Sequence, residues 1–270
     1  MSTRPLAGVL GHPVAHSLSP AIQNAAFRAA GLDWRYLKLP VPPERFTEVV
    51  RALPASGYRG ANVTIPHKLA ALELAGEATG AARAIGAANT LIFRAETIGA
   101  DNTDAQGLLE AISTPVAGVR AVVLGAGGAG RAAVWALIQA GAGRVAVWNR
   151  TPEKARALAR DLGAECAGHA LEGGPDLLVN ATSVGLDPSV PAGAALEALG
   201  LGGSEPPATV VDLVYRGDGG VTPVTAWATR GGARTIDGIE VLVQQGARSF
   251  ELWTGRSAPL DAMRAAARSG

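Results

Sequence analysis

Glycine recurs at the first, third and sixth places of Gly125-Ala126-Gly127-Gly128-Ala129-Gly130. At such a spacing one glycine permits a tight turn, one lets a pyrophosphate approach the backbone, and one lets a helix pack against a strand. The free N–H groups and dipole of a helix N-terminus would then face the anion. About twenty residues on, a 2′-hydroxyl site would carry an acid. This chain has Asn149-Arg150-Thr151 there, with Lys154 close behind. A carboxylate would repel a 2′-phosphate, whereas Arg150 can grip one with its planar fork of donors. The chemistry indicated is dinucleotide binding, with NADP as the cofactor.

A second group of polar residues lies in the first hundred or so positions. Asn62, Thr64, Lys68, Asn89 and Asp104 all stand at the ends of short apolar runs. Strand ends are where α/β proteins build their sites. Lys68 falls in the first turn of an expected helix, the end that cations avoid, so a functional role outweighs that of an ordinary surface lysine. Ser17 and Ser19 precede another helix, where two hydroxyls could receive a small carboxylate. Capping alone would also explain Ser19. His12 and His16 are four apart, but Pro13 between them argues against a helix that would align them on a metal. The 101–104 segment lacks the glycine and ligand spacing of a calcium loop. No metal site is expected.

The elements that must position these groups follow from periodicity and punctuation. Arg120-Ala-Val-Val-Leu124 and Arg144-Val-Ala-Val-Trp148 have the apolar, β-branched character of buried parallel strands. The segment 129–139 between them reads as a helix, closed by Gly141. Thr151 can cap the next helix with Pro152 at its first position, leaving Arg150 free. Further strands are expected at 176–179 and 209–214, and a long helix at 239–253 followed by a short one at 259–268. In the first part, strands are expected at 6–10, 34–39, 61–65, 91–93 and 98–101. Helices are expected at 20–30 with Ser19 as N-cap, at 43–53, from Pro66 to about residue 75, and at 105–112 with Asp104 as N-cap.

Bulk properties narrow the class. At 270 residues the chain is long enough for two domains. A net charge of +1 gives no electrostatic footprint for nucleic acid or an anionic membrane. A single cysteine, Cys166, excludes an internal disulfide framework and suits a reducing compartment. No run approaches the ~18 apolar residues of a membrane span, and the N-terminus lacks the apolar core of a signal peptide. A cytoplasmic protein is expected.

Taken in order, Ser17-Leu-Ser-Pro20, Asn62-Val-Thr-Ile-Pro-His-Lys68, Ala88-Asn-Thr90, Asp101-Asn-Thr-Asp104, the glycine run, Asn149-Arg-Thr151, Asn180-Ala-Thr-Ser183 and Asp237-Gly238 before Gln245 resemble the shikimate dehydrogenase family from end to end. The resemblance implies an α/β fold of two domains. Residues 1–104 would form a substrate-binding and catalytic domain with a mainly parallel sheet, and 105–237 a Rossmann-type NADP domain. The helices of 238–270 would pack back on the first domain. It implies substrate contacts from Ser17, Ser19, Thr64, Lys68, Asn89, Asp104, Tyr215 and Gln245. It implies NADP contacts from Gly125, Ala126, Gly127, Gly128, Ala129, Gly130, Asn149, Arg150, Thr151 and Lys154, and from backbone near Thr182 and Gly238. One departure is Gln244-Gln-Gly246, where the family more often has a small residue before the glutamine and alanine after it; Gln245 is taken as the site glutamine.

The reaction so implied is reversible reduction of 3-dehydroshikimate to shikimate by NADPH, with Lys68 and Asp104 as the acid/base partners. Which of the two transfers the proton stays open at this point. A quinate-tolerant, NAD-preferring paralogue is disfavoured by Arg150 and by the missing acid at Asn149. A silent NADP-binding regulator is disfavoured because Lys68 and Asp104 are both present. The partners expected are the small-molecule substrate and cofactor, with no nucleic acid or membrane, in a monomer or homodimer.

Overall fold

The computed structural model describes residues 4–94 and 97–269. The chain forms two compact bodies, one of residues up to Gly107 together with those from Val243 on, the other Leu108–Leu242. The chain passes between them inside two helices, Asp104–Ile112 and Gly238–Thr254.

The first body is built on a sheet of β1 (Leu6–Gly11), β2 (Arg35–Pro40), β3 (Tyr58–Val63), β4 (Glu77–Ala78), β5 (Thr90–Phe93) and β6 (Ile98–Asp101). Their spatial order is β2-β1-β3-β5-β6-β4. Only β5 runs against its neighbours, so the sheet is mainly parallel. Leu10, Ala61, Val63, Ala88 and Leu91 form its core with Phe46 and Val50 from the helix Phe46–Ala52. The helix Ser19–Ala29 packs against the last helix, Leu260–Ser269. Phe27 meets Phe250 of the Gly238–Thr254 helix with ring centroids 5.6 Å apart.

The second body holds β7 (Arg120–Leu124), β8 (Arg144–Trp148), β9 (Glu165–Cys166), β10 (Leu177–Asn180), β11 (Thr209–Asp212) and β12 (Arg234–Ile236), ordered β12-β11-β10-β7-β8-β9 and parallel throughout. Apolar clusters lie on both sides of the sheet, one around Val123, Val134 and Leu137 and one around Val122, Leu178 and Trp227. That double covering is why its central strands are apolar at nearly every position. The order reverses between β7 and β10, the switch point at whose carboxyl ends ligands bind in open α/β sheets.

Several helix starts differ from the sequence expectation. Ser19 is the first helical residue rather than the cap, and its N–H is bonded to Ser17 Oγ at 3.3 Å. Asp104 likewise lies inside its helix, because Asn102 Oδ1 accepts from the N–H groups of Asp104 (3.1 Å) and Ala105 (3.4 Å). The helix after Pro66 begins only at Lys68. The segment 43–53 divides into a 3₁₀ turn, Pro43–Arg45, and the helix Phe46–Ala52. Thr151 does occupy a cap position, yet its hydroxyl makes no capping bond. The strand at 209 stops at Asp212, whose side chain turns back to bond the N–H of Val214.

Candidate active site

Lys68 and Asp104 are 36 positions apart in sequence and in direct contact, with Nζ 2.6 Å from Oδ2. Both side chains are mostly buried, at 13% and 18% exposure, so water screens the pair little. The other carboxylate oxygen, Oδ1, accepts from Asn89 Nδ2 at 2.8 Å. Asn89 cannot turn its amide over, because its Oδ1 accepts from the Thr103 N–H at 2.7 Å. Its second amide hydrogen faces Thr103 Oγ1 at 2.9 Å, with Gln245 Oε1 at 3.2 Å. Lys68 is held from behind by His67, which is buried, stacked on Phe46 at 4.5 Å, and bonded through Nε2 to the Val41 carbonyl at 2.7 Å. Burial pushes the His67 imidazole below its ordinary pKa, which keeps it neutral as an anchor.

A second layer supports this set, and the sequence alone did not single it out. Ser249, fully buried one helical turn after Gln245, accepts from Asn62 Nδ2 at 2.8 Å, donates to the Gln245 carbonyl at 3.1 Å, and lies 2.9 Å from Thr90 Oγ1. The Tyr36 hydroxyl donates to Asn62 Oδ1 at 2.7 Å. Gly107 is the other omission. A Cβ there would lie 2.6 Å from the Gln245 backbone nitrogen, so only glycine lets the helices bearing Asp104 and Gln245 touch. The available signal was a glycine inside a helix, a costly choice that usually has a packing reason. Ser17 and Ser19 are both buried at the start of the Ser19–Ala29 helix. The Ser19 hydroxyl has no hydrogen-bond partner among the described residues. Thr64 follows β3, its methyl group so close to Gly11 that a Cβ at that glycine would meet it. Gln244 and Gln245 are both buried, but it is Gln245 that reaches Asn89. Tyr215 belongs to the other body, three residues beyond β11.

The glycine run joins β7 to the helix Gly128–Gln139. Gly125 has φ +107°, and a Cβ there would sit 2.9 Å from the Ala181 carbonyl oxygen. At Gly130 a Cβ would come within 2.1 Å of the Gly125 carbonyl oxygen. Gly127 is different, because a Cβ there would meet nothing within 4 Å. The first and last glycines are therefore demanded by packing, and the middle one fronts open space at a helix N-terminus, as a pyrophosphate site requires. Asn149 Oδ1 accepts from the Ala126 N–H at 3.3 Å and its amide donates to the Thr151 carbonyl at 2.9 Å, tying the loop to the end of β8. Arg150, Thr151 and Lys154 are exposed, and none of their side chains has a partner among the described residues. This donor set fits a 2′-phosphate. On the far side, Thr182 stands in the turn after β10, and Gly238 lies where a Cβ would strike the Leu213 and Val214 carbonyl oxygens, each at 2.7 Å.

Three family models match in succession: Shikimate dehydrogenase substrate binding domain over 9–91, Shikimate / quinate 5-dehydrogenase over 108–183, and Shikimate 5'-dehydrogenase C-terminal domain over 238–268. The shikimate dehydrogenase (NADP(+)) of Methanothermobacter thermautotrophicus is 42% identical over 95% of this chain and 93% of its own length. The chain belongs to the shikimate dehydrogenase family. Another family member, the shikimate dehydrogenase (NADP(+)) of Paracoccus denitrificans, is 43% identical over the same shares. Among solved structures, the shikimate 5-dehydrogenase of Thermus thermophilus in complex with NADP(H) and shikimate has 39% identity and a TM-score of 0.84, covering 98% of this chain and 99% of that one. A 5-ketofructose reductase of Gluconobacter sp. also has the fold, with 31% identity, a TM-score of 0.82, and coverage of 100% and 99%.

Proposed function

We propose that this chain catalyses the reversible NADPH-dependent reduction of 3-dehydroshikimate to shikimate, a step of aromatic amino-acid biosynthesis, with Lys68 and Asp104 as its acid/base pair. The observation that carries the residue assignment is the 2.6 Å contact between Lys68 Nζ and Asp104 Oδ2, with Asn89 fixing the other carboxylate oxygen. NADPH, when bound, supplies the hydride that reaches the carbonyl carbon. The carbonyl oxygen must then gain a proton. The Lys68 ammonium can both stabilise the growing alkoxide and donate that proton, while Asp104 orients the ammonium and accepts a substrate hydroxyl.

Ser17 and Ser19 receive the substrate carboxylate in this reading, and Thr64, Asn89, Tyr215 and Gln245 are further substrate contacts. Gly125 to Gly130 cradle the pyrophosphate, and Arg150, Thr151 and Lys154 hold the 2′-phosphate, with Asn149 ordering their loop. Thr182 and Gly238 line the cofactor by backbone. A reducing cytoplasm suits the lone Cys166. The test is cofactor absorbance on mixing pure protein with shikimate and NADP, repeated with NAD and with quinate. Reduction of NADP by shikimate well above both alternatives is expected; preference for quinate or for NAD would overturn the reading.

A further inference from the structure

Beyond the residues already assigned, the second body contains a buried carboxylate that touches no part of the proposed chemistry. Asp212 ends β11 with 1% of its surface exposed, beside Asn180 at the end of β10, which is its register partner and fully buried. Asp212 Oδ1 accepts from Asn180 Nδ2 at 2.8 Å and from the Val214 N–H at 3.1 Å. Its Oδ2 accepts from the Thr222 hydroxyl, and Thr222 also caps the helix Pro223–Arg230 by accepting from the Thr225 N–H at 3.1 Å. An ionised carboxylate offers only acceptors. It therefore permits one orientation of the Asn180 amide, nitrogen toward Asp212 and oxygen away. That oxygen accepts from both the N–H (3.2 Å) and the hydroxyl (2.8 Å) of Thr182, whose Oγ1 accepts in turn from the Val184 N–H at 3.1 Å.

The turn so fixed packs on the glycine loop. Ala181 and Thr182 are the neighbours a Cβ at Gly125 would strike, at 2.9 Å from the Ala181 carbonyl oxygen and 3.2 Å from the Thr182 methyl. Burial of a carboxylate without a cation is costly, and the charge facing Asp212 is another carboxylate, Asp237, which adds to the cost. A group held at such expense in a strand end beside the ligand switch point calls for a reason other than stability.

We propose that Asp212 is a positioning residue for the cofactor: through the Asn180 amide it sets the 180–184 turn against the glycine loop and so shapes the groove that receives the NADP pyrophosphate. This rests on the NADP reading above. Asp212→Ala leaves an Asn180 amide hydrogen and the Val214 N–H without their acceptor, so that the Asn180 side chain is held only by its bonds from Thr182. Asp212→Asn keeps an oxygen for Asn180 and Val214, and its amide can donate to Thr222.

The test is NADPH binding followed by fluorescence, together with the Michaelis constants for NADP and shikimate. Asp212→Ala should raise the NADPH dissociation constant by about ten-fold, the scale of a lost buried hydrogen bond. Its shikimate constant at saturating NADP should stay within about two-fold, because uniform loss of cofactor binding leaves the other substrate untouched. Asp212→Asn should restore the wild-type value. If Asp212→Ala does not fold, Thr182→Val cuts the same relay on a half-exposed turn and should weaken NADPH likewise. Unchanged NADPH affinity in the folded variants overturns the proposal, as does an equal loss for both ligands. Failure of the wild type itself to bind NADPH would overturn the functional reading instead.

Discussion

Around Asp104 in the first body, Asn62, Asn89, Thr90, Thr103, Gln245 and Ser249 are bonded to one another. At the end of β8 in the second body, the side chains of Arg150, Thr151 and Lys154 have no partner among the described residues. Under the proposed function, the difference follows from what each site must do. Proton delivery depends on a group held to within a fraction of an ångström, so the first body fixes its donors in advance. Phosphate capture depends on charge, and a guanidinium without an internal carboxylate loses no ion pair when the anion arrives. Several other arginines of the same body are held in ion pairs, among them Arg120 with Asp176 and Arg144 with Glu165. Glu153 follows Arg150 closely in sequence, but its carboxylate is paired with Arg156.

The contrast is broken most severely at its rigid end. Lys68→Ala should cut turnover by roughly 10²–10⁴-fold, the scale of a general acid/base, with a much smaller change in the Michaelis constant for shikimate. Near wild-type turnover would remove Lys68 from the chemistry. Asp104→Asn should lose rate as well; a pure binding defect would make Asp104 a substrate ligand only.

At the open end the effect is smaller and falls on the cofactor. A charge-assisted hydrogen bond contributes about 1.5–3 kcal/mol, which is roughly 10- to 150-fold in affinity. Arg150→Ala should raise the Michaelis constant for NADP by that factor and leave the value for NAD nearly unchanged. The ratio of the two catalytic efficiencies, at one ionic strength, is the measurement. A ratio equal to that of wild type would show that Arg150 does not read the phosphate.

The two serines sharpen the comparison within the first body. Ser17 accepts from the helix backbone, whereas the Ser19 hydroxyl is free of such duty. Ser19→Ala should therefore weaken shikimate by about 0.5–1.5 kcal/mol with little loss of thermal stability. Ser17→Ala should combine a similar loss with a lower melting temperature, because about 1 kcal/mol of capping goes with it. Equal melting temperatures with unchanged shikimate affinity in both variants would strip the pair of any role in binding.

The smallest expected effect concerns pH. Burial raises the Asp212 carboxyl from 3.8 to about 6. A folded-state pKa above the unfolded value means that the native protein binds the extra proton between those limits. Stability from this group is therefore fully present below about 3.8 and lost as pH rises through about 6. Wild type should lose stability between pH 5 and pH 8 relative to Asp212→Asn, by about 1 kcal/mol, read as a small fall in melting temperature. The same difference at both pH values would show that Asp212 does not titrate in that range. Asp176, drawn down to about 2 by Arg120, acts below this window and does not confuse it.

The strands and the turn at the glycine run were legible because their signals are local. An apolar β-branched run and a glycine at a forced approach need no knowledge of distant residues. Capping was less legible, since Ser17 and Asn102 displaced Ser19 and Asp104 as partners of the first helical N–H groups. Either side chain could have served, and only the backbone path chose. The pairing of Lys68 with Asp104 lay beyond local pattern altogether. It needs β5 to enter antiparallel between β3 and β6, which brings Asn62, Asn89 and Asp104 to one end of the sheet. It also needs a helix from the far end of the chain to lay Gln245 against Gly107 and Ser249 against Asn62. The raised pKa of Asp212 is of the same kind. An aspartate after two valines reads alike whether its carboxylate meets water or not, and the burial that changes its chemistry comes from neighbouring strands and a helix that only the folded chain assembles.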